Sequence, residues 1–103
     1  MTINDIARLC KESKLRWTNH ILKRIFQRNI RISDVKSALL KGEIIEQYPD
    51  DFPSSSCLVL GYAEAGDPLH IVCGSNGDEL WLITAYYPSL SEWTEGYKQR
   101  RQR

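Results

Sequence analysis

"LLKGEIIEQYP", residues 39–49, is where the chain changes its rule of folding. Before Gly42 the apolar residues recur every three or four positions, as on a helix. From Glu43 onward they recur every second position, as on a strand. Gly42 supplies the stop for the helix before it, and Pro49 ends the strand over residues 43–48.

Working back from Gly42, a helix is expected over 34–41, capped by Ser33, with Val35, Ala38 and Leu39 inward. A second is expected over 19–29. The Thr18 hydroxyl is placed to accept from its first turn, and Trp17 and Leu22 take the positions of a hydrophobic staple. A first helix is expected over 3–13, with Ile3, Ile6, Leu9 and Cys10 on one side. Working forward, "DDFPSSS" is a loop. "CLVLGYA" (57–63) and "PLHIVCG" (68–74) read as strands joined by "EAGD", and "LWLITAYY" (80–87) reads as a fourth strand after the turn "SNGDE". Beyond Pro88, "SEWTEGYKQRRQR" reads as a short helix and a basic tail over 97–103.

Helices followed by hairpin-connected strands is the α+β order. The expected architecture is a single domain over 1–103. Its N-terminal helices pack on one face of a four-stranded antiparallel sheet, and its other face is open to solvent or ligand. Strict alternation puts Leu69, Ile71 and Cys73 on one side of the third strand and His70 and Val72 on the other. It groups Leu80, Leu82, Thr84 and Tyr86 on one side of the fourth.

At 103 residues, 42% hydrophobic and 26% charged, the chain can bury a core and is not of disordered composition. No apolar run approaches the roughly 20 residues that span a bilayer, and "MTINDIARLC" lacks the pattern of a signal peptide, so the expected location is the cytoplasm. Cys10, Cys57 and Cys73 form no CxxC pair, which fits neither a disulfide framework nor zinc, and no metal or other cofactor is expected. The net charge of +1 conceals a segregation. Residues 1–36 hold nine Lys and Arg against three Asp and Glu, and residues 37–80 hold one against eight. Such a split makes a basic face for nucleic acid, or neutralises itself between neighbouring elements.

"NHILKRIFQR", residues 19–28, sets His20, Arg24 and Arg28 in one helical stripe. With His70 the chain has two histidines, enough for a base and an acid in a proton-transfer reaction near neutral pH. Arg24 and Arg28 have the forked N–H groups that hold a phosphate. Each signal also has an ordinary reading: a helix-capping or structural histidine, solvated arginines, and Tyr86, Tyr87 and Trp93 as packing aromatics. Arg100 and Arg101, in the tail, fit either a soluble end or phosphate contacts.

These pieces together resemble a known family. His20, Arg24, Arg28 and Ile30 in "H-x3-R-x3-R-x-I", then "SDV" (33–35), "GEIIEQYP" (42–49), "LVLG" (58–61), "PLHIV" (68–72), and "ITAYYP" (83–88) with Trp93 beyond, resemble the small family catalogued as domain of unknown function 4258. The resemblance covers about residues 17–93. It implies a fold related to RelE and BrnT toxins and to barnase-like ribonucleases, an RNA-binding sheet surface, and metal-independent RNA cleavage. The partners it implies are RNA, including mRNA on the ribosome, and a small antitoxin protein. His20, Arg24, His70, Thr84 and Tyr86 are the positions it carries over.

The resulting expectation is an endoribonuclease in which the ribose 2′-OH attacks the adjacent phosphorus. His20 and His70 serve as base and acid, and Arg24, helped by Arg28, holds the phosphate. Tyr86 bonds or stacks on a base and Thr84 orients a neighbour. Trp93, Arg100 and Arg101 add substrate contacts. The alternative is a non-catalytic module that binds RNA or a protein, with structural histidines.

Overall fold

The computed structural model describes residues 1–102; Arg103, the last residue of the expected tail, lies outside the described residues. The chain runs α1 (Ile3–Lys11), β1 (Leu15–Trp17), α2 (Asn19–Gln27), α3 (Ile32–Leu40), β2 (Glu43–Tyr48), β3 (Ser56–Tyr62), β4 (Pro68–Ser75) and β5 (Leu80–Tyr86). It is an α+β fold, with a five-stranded open sheet in the order β1-β5-β4-β3-β2.

The switch at Gly42 is where the sequence puts it, and four strands form the expected antiparallel meander. The expectation of four strands is corrected by β1. Only three residues long, β1 runs parallel to β5, with Arg16 opposite Trp81 and Trp17 opposite Leu82. A strand that short shows too few alternations to read from sequence, and its partner lies more than sixty residues away in the chain.

The helices begin where side chains satisfy the first free N–H groups. Thr2 and Asp5 cap α1 reciprocally. The Thr18 hydroxyl accepts from Ile21 N at 3.2 Å. α3 starts two residues earlier than expected, because Asp34 rather than Ser33 ties its entrance. Its carboxylate accepts from Arg31 N at 2.9 Å and, across to the β3–β4 turn, from Glu64 N at 3.1 Å. Gly42 is kept by crowding, since a Cβ there would meet Ala38 O at 2.6 Å. All three helices pack on one face of the sheet. Ile6, Leu9, Ile21, Ile25, Val35 and Leu39 form a single core with Cys57, Val59, Leu69, Ile71, Cys73, Leu80, Leu82 and Ala85.

β5 departs from strict alternation. A bulge falls opposite Val72 and Cys73, so Val72 pairs with Thr84 while Cys73 pairs with Leu82. Leu80 and Leu82 therefore face the helices, and Thr84 and Tyr86 project from the opposite, outer face. Past β1 the edge of β5 is covered by α2. The Thr18 hydroxyl donates to Leu82 O at 3.5 Å and the Arg28 guanidinium to Ala85 O at 2.7 Å, supplying donors to carbonyls that no strand pairs.

The expected C-terminal helix does not form. Gly96 and Tyr97 have φ of 87° and 61°, which makes a tight reversal instead. Thr94 N then donates to Gln99 O and Arg101 N to Glu92 O, closing a strap in which Trp93 bridges Arg100. The expected basic tail is thus folded back, and it lies on the outer face of the sheet.

Candidate functional site

Under the strap is a connected group of side chains from four segments. His70, from β4, stands opposite Tyr86, from β5. Glu46 and Tyr48 come from β2, and a bulge at Ile45 turns both toward the outer face. Trp93 and Arg100 come from the strap.

His70 is fully buried, and both its ring nitrogens are engaged. Nε2 lies 2.9 Å from Tyr97 O and Nδ1 lies 3.2 Å from the Tyr86 hydroxyl. A carbonyl only accepts, so Nε2 carries the proton. The neutral ring then has a lone pair at Nδ1, to which Tyr86 donates. Burial lowers the His70 pKa, against smaller upward contributions from the Tyr97 carbonyl and Glu46, and Arg100 lowers it further. Trp93 packs edge-on against the imidazole, with centroids 4.4 Å apart.

Arg100 lies 4.7 Å over the Trp93 ring and grips Glu46 with two bonds of 2.9 and 3.0 Å. That grip holds the Glu46 carboxyl below its ordinary range. Burial and the hydrogen bond to Glu46 push the Tyr48 phenol up to about 12. Burial also raises the Tyr86 pKa. Lys98 adds a 2.8 Å pair to Glu43 at the same sheet edge.

The structure does not bring the two imidazoles together. His20 is exposed on the first turn of α2, whose Ile21 and Ile25 anchor it in the helix-side core. His70 is enclosed on the opposite face. The two-histidine acid–base scheme therefore lacks its geometry. The reason is the alternation of β4 itself, which sends His70 away from the helices. Arg24 is half-buried and bonds Gln27 at 3.4 Å, and Arg28 is committed to Ala85 O. Thr84 and Tyr86 are half-buried on the outer face. Trp93 is buried, Arg100 is held by Glu46, and Arg101 donates to Leu90 O, so the three extra substrate contacts are structural members of the strap.

Open surface with binding chemistry lies at the other edge of the sheet. α2 carries Lys23 and Arg24 with no acidic residue, and neither cation reaches a carboxylate among the described residues. Phe26 on the same helix is 84% exposed. Beside the N-terminus of α2, a groove of about 360 Å³ is lined by Arg16, Thr18, Asp51, Phe52, Trp81 and Ile83. Sequence reading passed over Arg16, Phe52 and Trp81. The available signal was a phenylalanine between Asp51 and Pro53, in a loop with no apolar partner near it in sequence.

No helix among the described residues is long and apolar enough to cross a membrane. Among the same residues, no three His, Cys, Asp or Glu side chains gather where they could hold a metal ion. The model of one family, described as a domain of unknown function (DUF4258), matches residues 17–87. No curated protein and no solved structure matches the chain.

Proposed function

For this chain, which belongs to the family described as a domain of unknown function (DUF4258), we propose a non-catalytic role as an RNA-binding module. The observation that carries this is α2: a helix with two cations, Lys23 and Arg24, no acid, and an exposed Phe26. Cations without carboxylate partners answer a polyanion, and an exposed aromatic ring offers a stacking face to an unpaired base. The sequence segregation of charge supports the same ligand. The acidic residues of β2 sit at the far edge of the sheet, where Lys98 and Arg100 pair with Glu43 and Glu46. The resemblance to RelE- and BrnT-type toxins points to RNA as well, and to a small antitoxin-like protein as a second partner.

The test is binding of a fluorescent single-stranded RNA over a range of salt. Removing both Lys23 and Arg24 should weaken binding and flatten the log–log salt slope by about 1.4, roughly 0.7 for each lost phosphate contact on a single strand. An unchanged slope removes α2 from the interface.

A second reading, a metal-independent endoribonuclease, is favoured by the outer-face group itself. His70, Tyr86 and Glu46 are acid–base groups with Arg100 as a cation beside them, and they would act only with the strap lifted. Loosening the strap through Trp93→Ala, which leaves Arg100 in place, should then raise RNA cleavage, and adding His70→Gln should abolish it. Intact RNA in both cases rejects this reading.

A further inference from the structure

The groove at the β1–β5 edge is separate from the outer-face group and from the exposed face of α2, yet it borders both β5 and the start of α2. Its volume of about 360 Å³ is at the small end of ligand sites. Its walls come from four segments, one of them the N-cap of α2 at Thr18. Arg16 belongs to β1, Trp81 and Ile83 to β5, and Asp51 and Phe52 to the loop between β2 and β3. We propose that this groove receives one unpaired nucleobase of a single-stranded RNA, held by Phe52 and Trp81 with its phosphate toward Arg16. The inference rests on the RNA-binding reading and names where a base would be held.

Phe52 is 94% exposed, so the chain itself gives its ring almost no packing partner. Trp81 forms the opposite kind of wall, half-buried and fixed in the sheet between Arg16 and Gly74. A flat base has π-faces and suits a groove lined by two aromatic rings, whatever its sequence. The indole supplies a second, independent sign. Trp81 Nε1 is screened from water and has no hydrogen-bond partner, the sole such buried side-chain atom among the described residues. Indole N–H only donates, and an unpaired buried donor is costly to a folded chain. A base presents ring nitrogens and carbonyl oxygens that accept, and a small shift of the ring edge as the base seats would bring that donor to it.

The polar rim fits a nucleotide better than a free anion. Arg16 pairs with Glu79 at 3.4 Å, but both side chains are largely exposed, so that pair is weak and Arg16 can turn to a phosphate. Asp51, which accepts from the Ser56 hydroxyl, puts a negative charge in the groove and rejects a phosphate from its interior. Thr18 both lines the groove and caps α2, so a strand leaving the groove would continue onto Lys23 and Arg24.

The experiment follows the indole N–H signals of the full-length ¹⁵N-labelled chain. Three are expected, from Trp17, Trp81 and Trp93, and Trp81→Phe identifies the one that matters. Adenosine 5′-monophosphate should move the Trp81 signal in a saturable way, and ribose 5-phosphate should leave it in place. Phe52→Ala, a change at an exposed loop residue, should weaken single-stranded RNA binding by about 5- to 150-fold, the loss of one stacked base. A Trp81 signal that ignores the nucleotide overturns the proposal, even if RNA still binds through α2. A stronger response to N-acetyl-phenylalaninamide than to the nucleotide also overturns it, because the groove is then a peptide pocket. If the nucleotide moves Trp81 but RNA binds no more tightly than the mononucleotide, the groove stands and the RNA-binding reading of α2 falls.

Discussion

Replacing Trp93 with alanine tests whether the strap over residues 93–102 is part of the fold or an attachment to it. Trp93 is 3% exposed, lies edge-on against His70, and carries Arg100 across its ring. Truncating a buried tryptophan costs about 3–5 kcal/mol, and the aromatic and cation contacts are already within that range. Against a total stability of about 5–15 kcal/mol, this is a large share. With a urea m-value near 2 kcal/mol/M, the unfolding midpoint should fall by about 2 M. Arg100→Gln removes the pair with Glu46 but leaves the indole in place. Because the guanidinium is largely exposed, it should cost about 1 kcal/mol or less. The assay is urea unfolding followed by far-UV circular dichroism for both variants and the parent. If Trp93→Ala loses less than about 1 kcal/mol with an unchanged m-value, the strap does not seal the outer face, and the enclosure of His70 is wrong.

Stability should also depend on pH through His70. Burial lowers its folded pKa, so below about pH 6.5 the unfolded chain takes up a proton that the folded chain refuses. Stability is then fully present above that pH and declines as pH falls toward the folded value; unfolding free energies at pH 7.5 and 5.5 should show the drop, and His70→Gln should reduce it. Gly61→Ala would drive a Cβ onto the Ala38 backbone, with its Cα at 2.6 Å, and should destabilise by about 1–3 kcal/mol or more in thermal unfolding. Thr18→Ala removes the cap of α2 and should cost about 1 kcal/mol in urea unfolding, without changing the m-value.

The helices and the four-stranded meander were legible because each rests on a local rule: a capping hydroxyl, a period of 3.6 or 2, a turn residue. The exceptions are events that local rules do not contain. β1 is defined by a partner far along the chain. The bulge in β5 inserts one residue into an otherwise regular alternation and so reverses the face of Thr84 and Tyr86 relative to Leu80 and Leu82. The strap was misread as a helix although Gly96 stands in the middle of it, a residue that costs a helix but suits positive φ. Of the candidate site, the pairing of His70 with Tyr86 follows from the bulge, which no local pattern announces. Glu46 and Tyr48 went unrecognised because their role depends on Arg100, more than fifty residues later.

One sequence feature could have exposed the error about the outer face. "CLVL", residues 57–60, is a continuous apolar run, not an alternating one, and such a run marks a strand covered on both sides. Leu58 and Leu60 indeed face away from the helices beside Val72 and His70, and both are buried. A sheet face with that much apolar surface needs a lid, and the strap, through Trp93, is the segment that provides it. Covering the face commits His70, Tyr86, Glu46 and Arg100 to one another, and it takes the His70 imidazole out of solution. What stays exposed is the opposite edge, where Thr18 and Arg28 bond the backbone of β5 and Lys23 and Phe26 of α2 face solvent. The same burial that stabilises the sheet thus shifts recognition to α2 and the Trp81 groove, and ligand titrations that perturb His70 before Trp81 would contradict that division of the surface.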